Sequence, residues 1–346
     1  MDLFWGVVGA AIIGWTMVEA LWTIVSVSGA GPATDRWTRA LWRLAVMLRT
    51  RVGHAGSLVP VGPVILIATL LVWIATLWLG YFLVFSVCPD EIINSDTKIP
   101  ATTWDRVYYT GFTLFTLGTG DFVALTTRYR VLSAFASLNG LFLVTLVITY
   151  MVPVLQAVVV KRQLGAVIHG LGETPYAIIA NAWNGKDLSA LDTPLHELSS
   201  SIAIHAERHL AYPVLHYFQA DSARHSFALQ FASYAEAIEL IDAFVPEEAQ
   251  PPRLRMITAR DVSEGFLEVV GREFFVRTAD DAPPLPDPKP LAAAGLPIRP
   301  VTEGFAALDR RADYRRRLRS LLRSEGRDWD EVYQSDANQD DANENE

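Results

Sequence analysis

Three apolar runs, residues 3–29, 58–87 and 131–160, alternate with polar stretches in the first half of the chain. About 20 apolar residues in a helix cross a bilayer core, so each run is long enough to span. From Lys161 onward the pattern changes, and apolar positions are interspersed with charges as in soluble helices. The third run is expected to continue as helix through residues 161–171. Segments 174–183, 188–210, 221–244 and 260–270 are predicted as mainly helical, and 274–278 as a short strand. Residues 282–300 hold seven prolines and are predicted to form an extended linker. A last helix is expected over 302–322, and the acidic end, 335–346, is expected to be disordered.

The polar stretch between the first two runs has its own pattern. Trp37, Leu41, Leu44 and Leu48 recur at i, i+4, i+7 and i+11, while Arg36, Arg39 and Arg43 gather on another side. That predicts an amphipathic helix in the inner headgroup layer, with the bilayer and its anionic lipids as partners. Arg36, Arg39, Arg43, Arg49 and Arg51 stand there against a lone acid, Asp35, and Lys161-Arg162 closes the third run. Loops rich in Lys and Arg stay cytoplasmic. The expected arrangement is a multi-pass protein of the cell membrane with its N-terminus outside and its C-terminal domain in the cytoplasm. Arg128 and Arg130, at the outer end of the third run, go against that rule.

Composition narrows the picture. Of 346 residues, 51% are hydrophobic and 19% charged, and the mean hydropathy of +0.23 is too high for one ordinary soluble domain. The net charge of −9 excludes nucleic acid as a partner. Cys88 is the single cysteine, so no intrachain disulfide forms. The first run follows Asp2 rather than a basic segment and is too long for a secretory signal, so it is read as a span. Glu19 lies within it, and a carboxylate at that depth is expected to face protein, be protonated or reach the headgroups. No span carries a ladder of arginines, which excludes a voltage sensor.

The chemistry concentrates between the second and third runs. Residues 89–103 carry Asp90, Glu91 and Asp96 against Lys98, a negative vestibule that would concentrate cations. Residues 104–115 predict a helix of about three turns. The polar stretch Thr116, Leu117, Gly118, Thr119, Gly120, Asp121 follows it. Non-helical backbone at membrane depth is tolerated only where it is buried in protein or lines a watery cavity. A glycine-rich stretch there can turn carbonyl oxygens inward and replace the hydration shell of a cation. The C-terminal end of the preceding helix adds partial negative charge.

The run from Asp105 to Asp121, with its T-x-G-x-G-D ending, resembles the pore loop of two-transmembrane-type potassium channels. The resemblance covers residues 58–160. It implies that Thr116 lines the inner ion site with its carbonyl and hydroxyl, and that Leu117 stands where valine is usual. Gly118 and Gly120 match the filter glycines, Asp121 the closing aspartate, and Gly140 the hinge glycine of the inner helix. Thr119 departs from the pattern, because an aromatic ring usually braces the filter at that position. The implied activity is passive conduction of potassium ions, with no resident cofactor. A less selective cation pore is the alternative that Thr119 leaves open. One loop cannot surround an ion, so a homotetramer is implied. Pro153 removes a helix hydrogen bond and is expected to kink the inner helix at a gate or a packing bend. Val152, Leu155 and Val159 are candidates to narrow the exit.

The second half offers fewer signals. His205, His209 and His216 are spaced for one helical face and are weak zinc candidates, with Pro213 between the last two disturbing the register. Core packing or carboxylate pairing accounts for them better, and the H-E-x-x-H order is absent. No G-x-G-x-x-G or phosphate loop appears. Arg310, Arg311, Arg315, Arg316, Arg317, Arg319, Arg323 and Arg327 make a basic helix, read as a solvated face bridged to Asp309 and Asp313 or as a surface for anionic lipid.

The expected fold is an all-α membrane protein: three transmembrane helices, a re-entrant pore helix with its filter loop, and a mainly helical cytoplasmic domain open to an unidentified regulator. Its expected parts are an extra N-terminal transmembrane helix (1–30), the amphipathic linker (31–57), the pore domain (58–160), the helical domain (161–281), the proline-rich linker (282–300), the basic helix (301–334) and the acidic tail (335–346). The rival functions are a non-conducting sensor with a relic pore loop and a membrane-tethered zinc enzyme.

Overall fold

The computed structural model describes residues 2–26, 29–52, 59–220, 222–274 and 281–335. The chain divides into two compact units, residues 1–44 with 63–155 and residues 45–62 with 156–346. It is an all-α membrane protein. Three helices are long and apolar enough to cross a bilayer: α1 (Asp2–Val25), α3 (Val61–Phe85) and α5 (Thr127–Leu171).

In the first unit, α1 lies antiparallel to α3 because small residues meet where they cross. A Cβ on Gly9 would come within 2.6 Å of the Gly80 carbonyl oxygen, and one on Gly80 within 3.0 Å of the Gly9 oxygen. Close backbone approach of this kind is how helices associate where lipid removes the hydrophobic drive. Helix α3 in turn lies antiparallel to the start of α5. Trp73 meets Tyr150 with ring centroids 6.5 Å apart, Asn139 Nδ2 donates to the Tyr81 hydroxyl at 2.6 Å, and Phe85 meets Tyr129 at 6.3 Å.

The amphipathic helix forms as α2 (Pro32–Val52). Its start explains Glu19, which is 5% exposed and faces protein. Glu19 Oε1 accepts from the backbone N–H groups of Ala33 at 2.9 Å and Thr34 at 2.7 Å, two of the orphan donors of the first turn. Gly31 leaves the room this needs, since a Cβ there would overlap the carboxylate.

The second unit is built around α8 (Phe227–Phe244), in which every residue except Asp242 is buried. A helix apolar on all sides belongs at the centre of a core. The other helices are α6 (Pro175–Ala182), α7 (Asp192–Ala211) and α9 (Arg253–Phe274) before a short α10 (Lys289–Ala293), then α11 (Val301–Arg310) and α12 (Ala312–Ser324). Helix α8 starts six residues later than its expected 221, after a 3₁₀ turn, and α9 extends well beyond 260–270 on both sides. It runs through Phe274, where a strand was expected; residues 275–278 of that strand lie outside the described residues, as do 336–346 of the tail.

Two expectations for the C-terminal part need correction. Residues 282–300 are not an open spacer: Pro283, Pro286, Pro288 and Leu291 are buried, and α10 forms within the segment. The expected helix 302–322 is broken at Arg311, and its basic side is not simply solvated. Arg315, 1% exposed, makes paired bonds to the fully buried Glu236, with Nη2 at 2.7 Å from Oε1 and Nε at 3.0 Å from Oε2. Arg315 also donates to the carbonyls of Pro283 at 3.3 Å and Pro284 at 2.9 Å, so the proline-rich segment is docked through it. Arg311 pairs with Glu239 and Glu264. Arg316 and Arg317 do pair with Asp313 at the surface, as the solvated reading expects.

Candidate ion-conduction site

The pore loop begins with a built helix start. Helix α4 (Thr103–Leu114) is capped by Thr102, whose hydroxyl accepts from Asp105 N at 3.3 Å while Asp105 Oδ2 accepts from Thr102 N at 2.9 Å. This reciprocal capping box fixes where the helix starts. The far end is held by its neighbours. Trp78 Nε1 donates to Val107 O at 3.0 Å, the Tyr109 and Ser133 hydroxyls meet at 2.5 Å, and Ser137 Oγ donates to Thr113 O at 2.8 Å. The last bond adds a side-chain donor to a carbonyl at the end of α4.

The chain then turns back. Leu117 N donates to Phe112 O at 2.9 Å and Thr116 N to Thr113 O at 3.2 Å. Thr116, Gly118 and Gly120 have φ of 57°, 61° and 82°, whereas Leu117, Thr119 and Asp121 do not take positive φ. Left-handed residues at every second position bring successive peptide groups onto one face of the strand instead of alternating them. Glycine reaches this conformation freely. Thr116, β-branched, does so at a cost of about 1–3 kcal/mol, strain of the kind that gathers at functional sites.

Beyond Asp121 the chain leaves through a small sheet. Strand β1 (Ile92–Asn94) pairs antiparallel with β2 (Phe122–Ala124), with Ile93 opposite Val123. Ser95 N also donates to Asp121 O at 2.8 Å. Residues 92–95 are therefore tied to the end of the 116–121 stretch. Tyr108, on α4, holds the same end: its hydroxyl lies 3.4 Å from Thr119 Oγ1 and 3.3 Å from Asp121 Oδ2. Its ring meets Phe112 edge-on at 5.3 Å. Residues 115–121 are exposed on the single chain, with Leu117 68% accessible. They border a groove of about 650 Å³ walled also by Tyr109, Val123 and Ser137.

Residues 68–157 match the family model described as "Ion channel". Over 324 residues the chain is 30% identical to the "Uncharacterized membrane protein YdjJ" of Bacillus subtilis (strain 168), covering 93% of this chain and 94% of the relative. The chain belongs to the YdjJ family of membrane proteins and carries an ion-channel domain. No solved structure matches. The likeness to YdjJ extends over nearly the whole length, well past the ion-channel match.

Within this family member, Gly140 lies against the end of α4, where a Cβ would overlap the Leu114 carbonyl oxygen. Helix α5 passes through Gly140 and Pro153 without interruption. Packing alone thus requires a glycine at 140, whatever it does in gating. Val152, Leu155 and Val159 share an exposed face of α5, while Val154 and Ala157 are buried.

The histidines do not form one face. Pro213 follows the end of α7 and starts a 3₁₀ turn, Pro213–Tyr217, which carries His216 away from the register of His205 and His209. Among the described residues no group of three His, Cys, Asp or Glu side chains is placed to hold a metal. His205 instead packs edge-on to His209 and to Phe227, each at 4.5 Å, and stacks on Phe266 at 5.8 Å. Burial pushes His205 and His216 well below the ordinary histidine range and His209 down to about 3. The nearby Lys161 ammonium acts in the same direction on all three. The Tyr108 contacts to Thr119 and Asp121, the small sheet and the Arg315–Glu236 pair were not found by sequence reasoning. Glu236 and Glu239 inside an otherwise apolar helix were the available signal for the last.

Proposed function

We propose that four copies assemble about a shared axis into a cation channel that conducts potassium passively through residues 116–121. The observation that carries this reading is the alternation of left-handed backbone at Thr116, Gly118 and Gly120 on an exposed polar strand. Such a strand at membrane depth requires a partner or a watery lumen. Three further copies supply both, filling the groove beside the filter and completing a ring of carbonyl oxygens around the ion. The C-terminal end of α4 directs partial negative charge toward that ring. Basic residues of α2 and Lys161-Arg162 favour a cytoplasmic second unit with the filter entered from outside.

Thr119 favours a second reading, a weakly selective cation pore. It replaces a packed ring with a small side chain held by a single hydroxyl at 3.4 Å. Reversal potentials of the reconstituted protein in potassium and sodium gradients separate the two. Gly118→Ala is expected to abolish flux and leave the oligomer intact on native gels. Full flux in that variant refutes the pore assignment, and a wild type that passes no current even without its second unit refutes conduction.

A further inference from the structure

A second cavity lies in the first unit where α1, α2 and α3 meet. It measures about 210 Å³, and its wall includes Trp15, Trp37, Trp73, Glu19, Thr16 and Thr69. Two backbone donors at the start of α2, from Ala33 and Thr34, bond Oε1 of the Glu19 side chain. Among the described residues no basic side chain lines the cavity.

The hydroxyls add acceptors. Thr69 Oγ1 donates within its own helix to Ile65 O at 2.8 Å, Thr76 Oγ1 to Val72 O at 2.8 Å, and Thr16 Oγ1 to Thr76 Oγ1 at 3.1 Å. With their protons engaged, these oxygens have lone pairs left to offer. The indole faces also attract positive charge. Trp15 and Trp37, 59% and 41% exposed, fit an interfacial aromatic belt. Trp73, 3% exposed, adds a third indole beside the carboxyl group of Glu19, 5% exposed.

We propose that this cavity binds an organic ammonium group, supplied by an aminophospholipid headgroup or by a free alkylammonium ion. A bare metal ion, no larger than the roughly 30 Å³ share of a water molecule, would leave most of the volume empty and the indoles without a role. The inference stands apart from the channel reading, because this cavity shares no lining residue with the groove beside the filter.

The test uses the full-length protein in a neutral maltoside detergent and native mass spectrometry. Hexyltrimethylammonium is expected to bind once per chain, and its neutral carbon isostere at least about tenfold more weakly. Glu19→Gln and Trp37→Leu are each expected to weaken the ammonium by a similar factor. Glu19 also caps α2, so Trp37→Leu, at a half-exposed position, decides the matter if the first variant fails to fold. Retention of one phosphatidylethanolamine per chain, with phosphatidylglycerol of the same acyl chains washed out, identifies the lipid as the source. Binding of the soluble ammonium alone identifies a free amine. Equal affinity for the charged and neutral probes overturns the proposal. So does undiminished binding in either folded variant, or a single ion per oligomer, which belongs to the shared pore.

Discussion

Replacing His205 with leucine should stabilise the second unit, and more so in acid. His205 is fully buried among aromatic rings, with neither ring nitrogen hydrogen-bonded. Burying an unpaired polar group costs about 1–3 kcal/mol, which an apolar side chain of similar size avoids. The second contribution depends on pH. The folded state holds the imidazole neutral because burial disfavours its charge, with the Lys161, Arg208 and His209 side chains adding to the effect. In the unfolded chain a histidine takes up a proton near pH 6.5. A depressed folded value means the unfolded state binds more protons below that pH, so stability is full above 6.5 and falls as acid is added. At pH 5 the difference amounts to about 2 kcal/mol for this one residue. Urea unfolding of the full chain in detergent, followed by circular dichroism at pH 8 and pH 5, gives both quantities. The variant should gain about 1–3 kcal/mol at pH 8 and a further 2 or so at pH 5. An identical gain at the two pH values would refute the claim that the native state keeps His205 neutral.

Three other outcomes follow from the packing. Gly140→Ala must push α5 from the end of α4 and should cost about 1–3 kcal/mol in thermal unfolding; a variant of wild-type stability whose opening alone is altered would favour a hinge. Arg315→Met strands a buried Glu236 and should lose about 3–5 kcal/mol, most of it recovered in the double variant with Glu236→Leu, as measured by denaturant midpoints. Tyr108→Phe removes the hydroxyl shared by Thr119 and Asp121 and should lower the potassium-to-sodium permeability ratio in bilayer recordings; an unchanged ratio would show that the brace is idle.

The spans could be read directly because their signals are local. An apolar run long enough to cross a bilayer needs no partner to be recognised, and glycines at alternate positions announce left-handed backbone wherever they lie. Thr116 shows the limit of that reasoning, since a β-branched residue carries no mark of the positive φ that its neighbours impose. What stayed hidden is pairing over long separations. Three-residue strands such as β1 and β2 have too few positions for a period to emerge, and Ile93 meets Val123 only across the long stretch that separates them. Glu19 stood out as a charge in an apolar run, but its partners are backbone amides, which every residue carries.

The C-terminal part misled for a more instructive reason. Composition describes what a segment can do alone, and proline-rich or arginine-rich stretches alone are extended or solvated. Here each supplies what the other lacks. Proline has no amide hydrogen to satisfy but keeps a carbonyl acceptor, and Arg315 has donors to spare beyond those that Glu236 takes. The decisive clue sits in neither segment. Glu236 and Glu239, three residues apart in a helix that is otherwise mostly apolar, must find cations when that helix is buried. Arg311 and Arg315, four apart, present them at matching spacing. A buried acid in one helix therefore says more about the environment of a distant basic helix than that helix's own charge does.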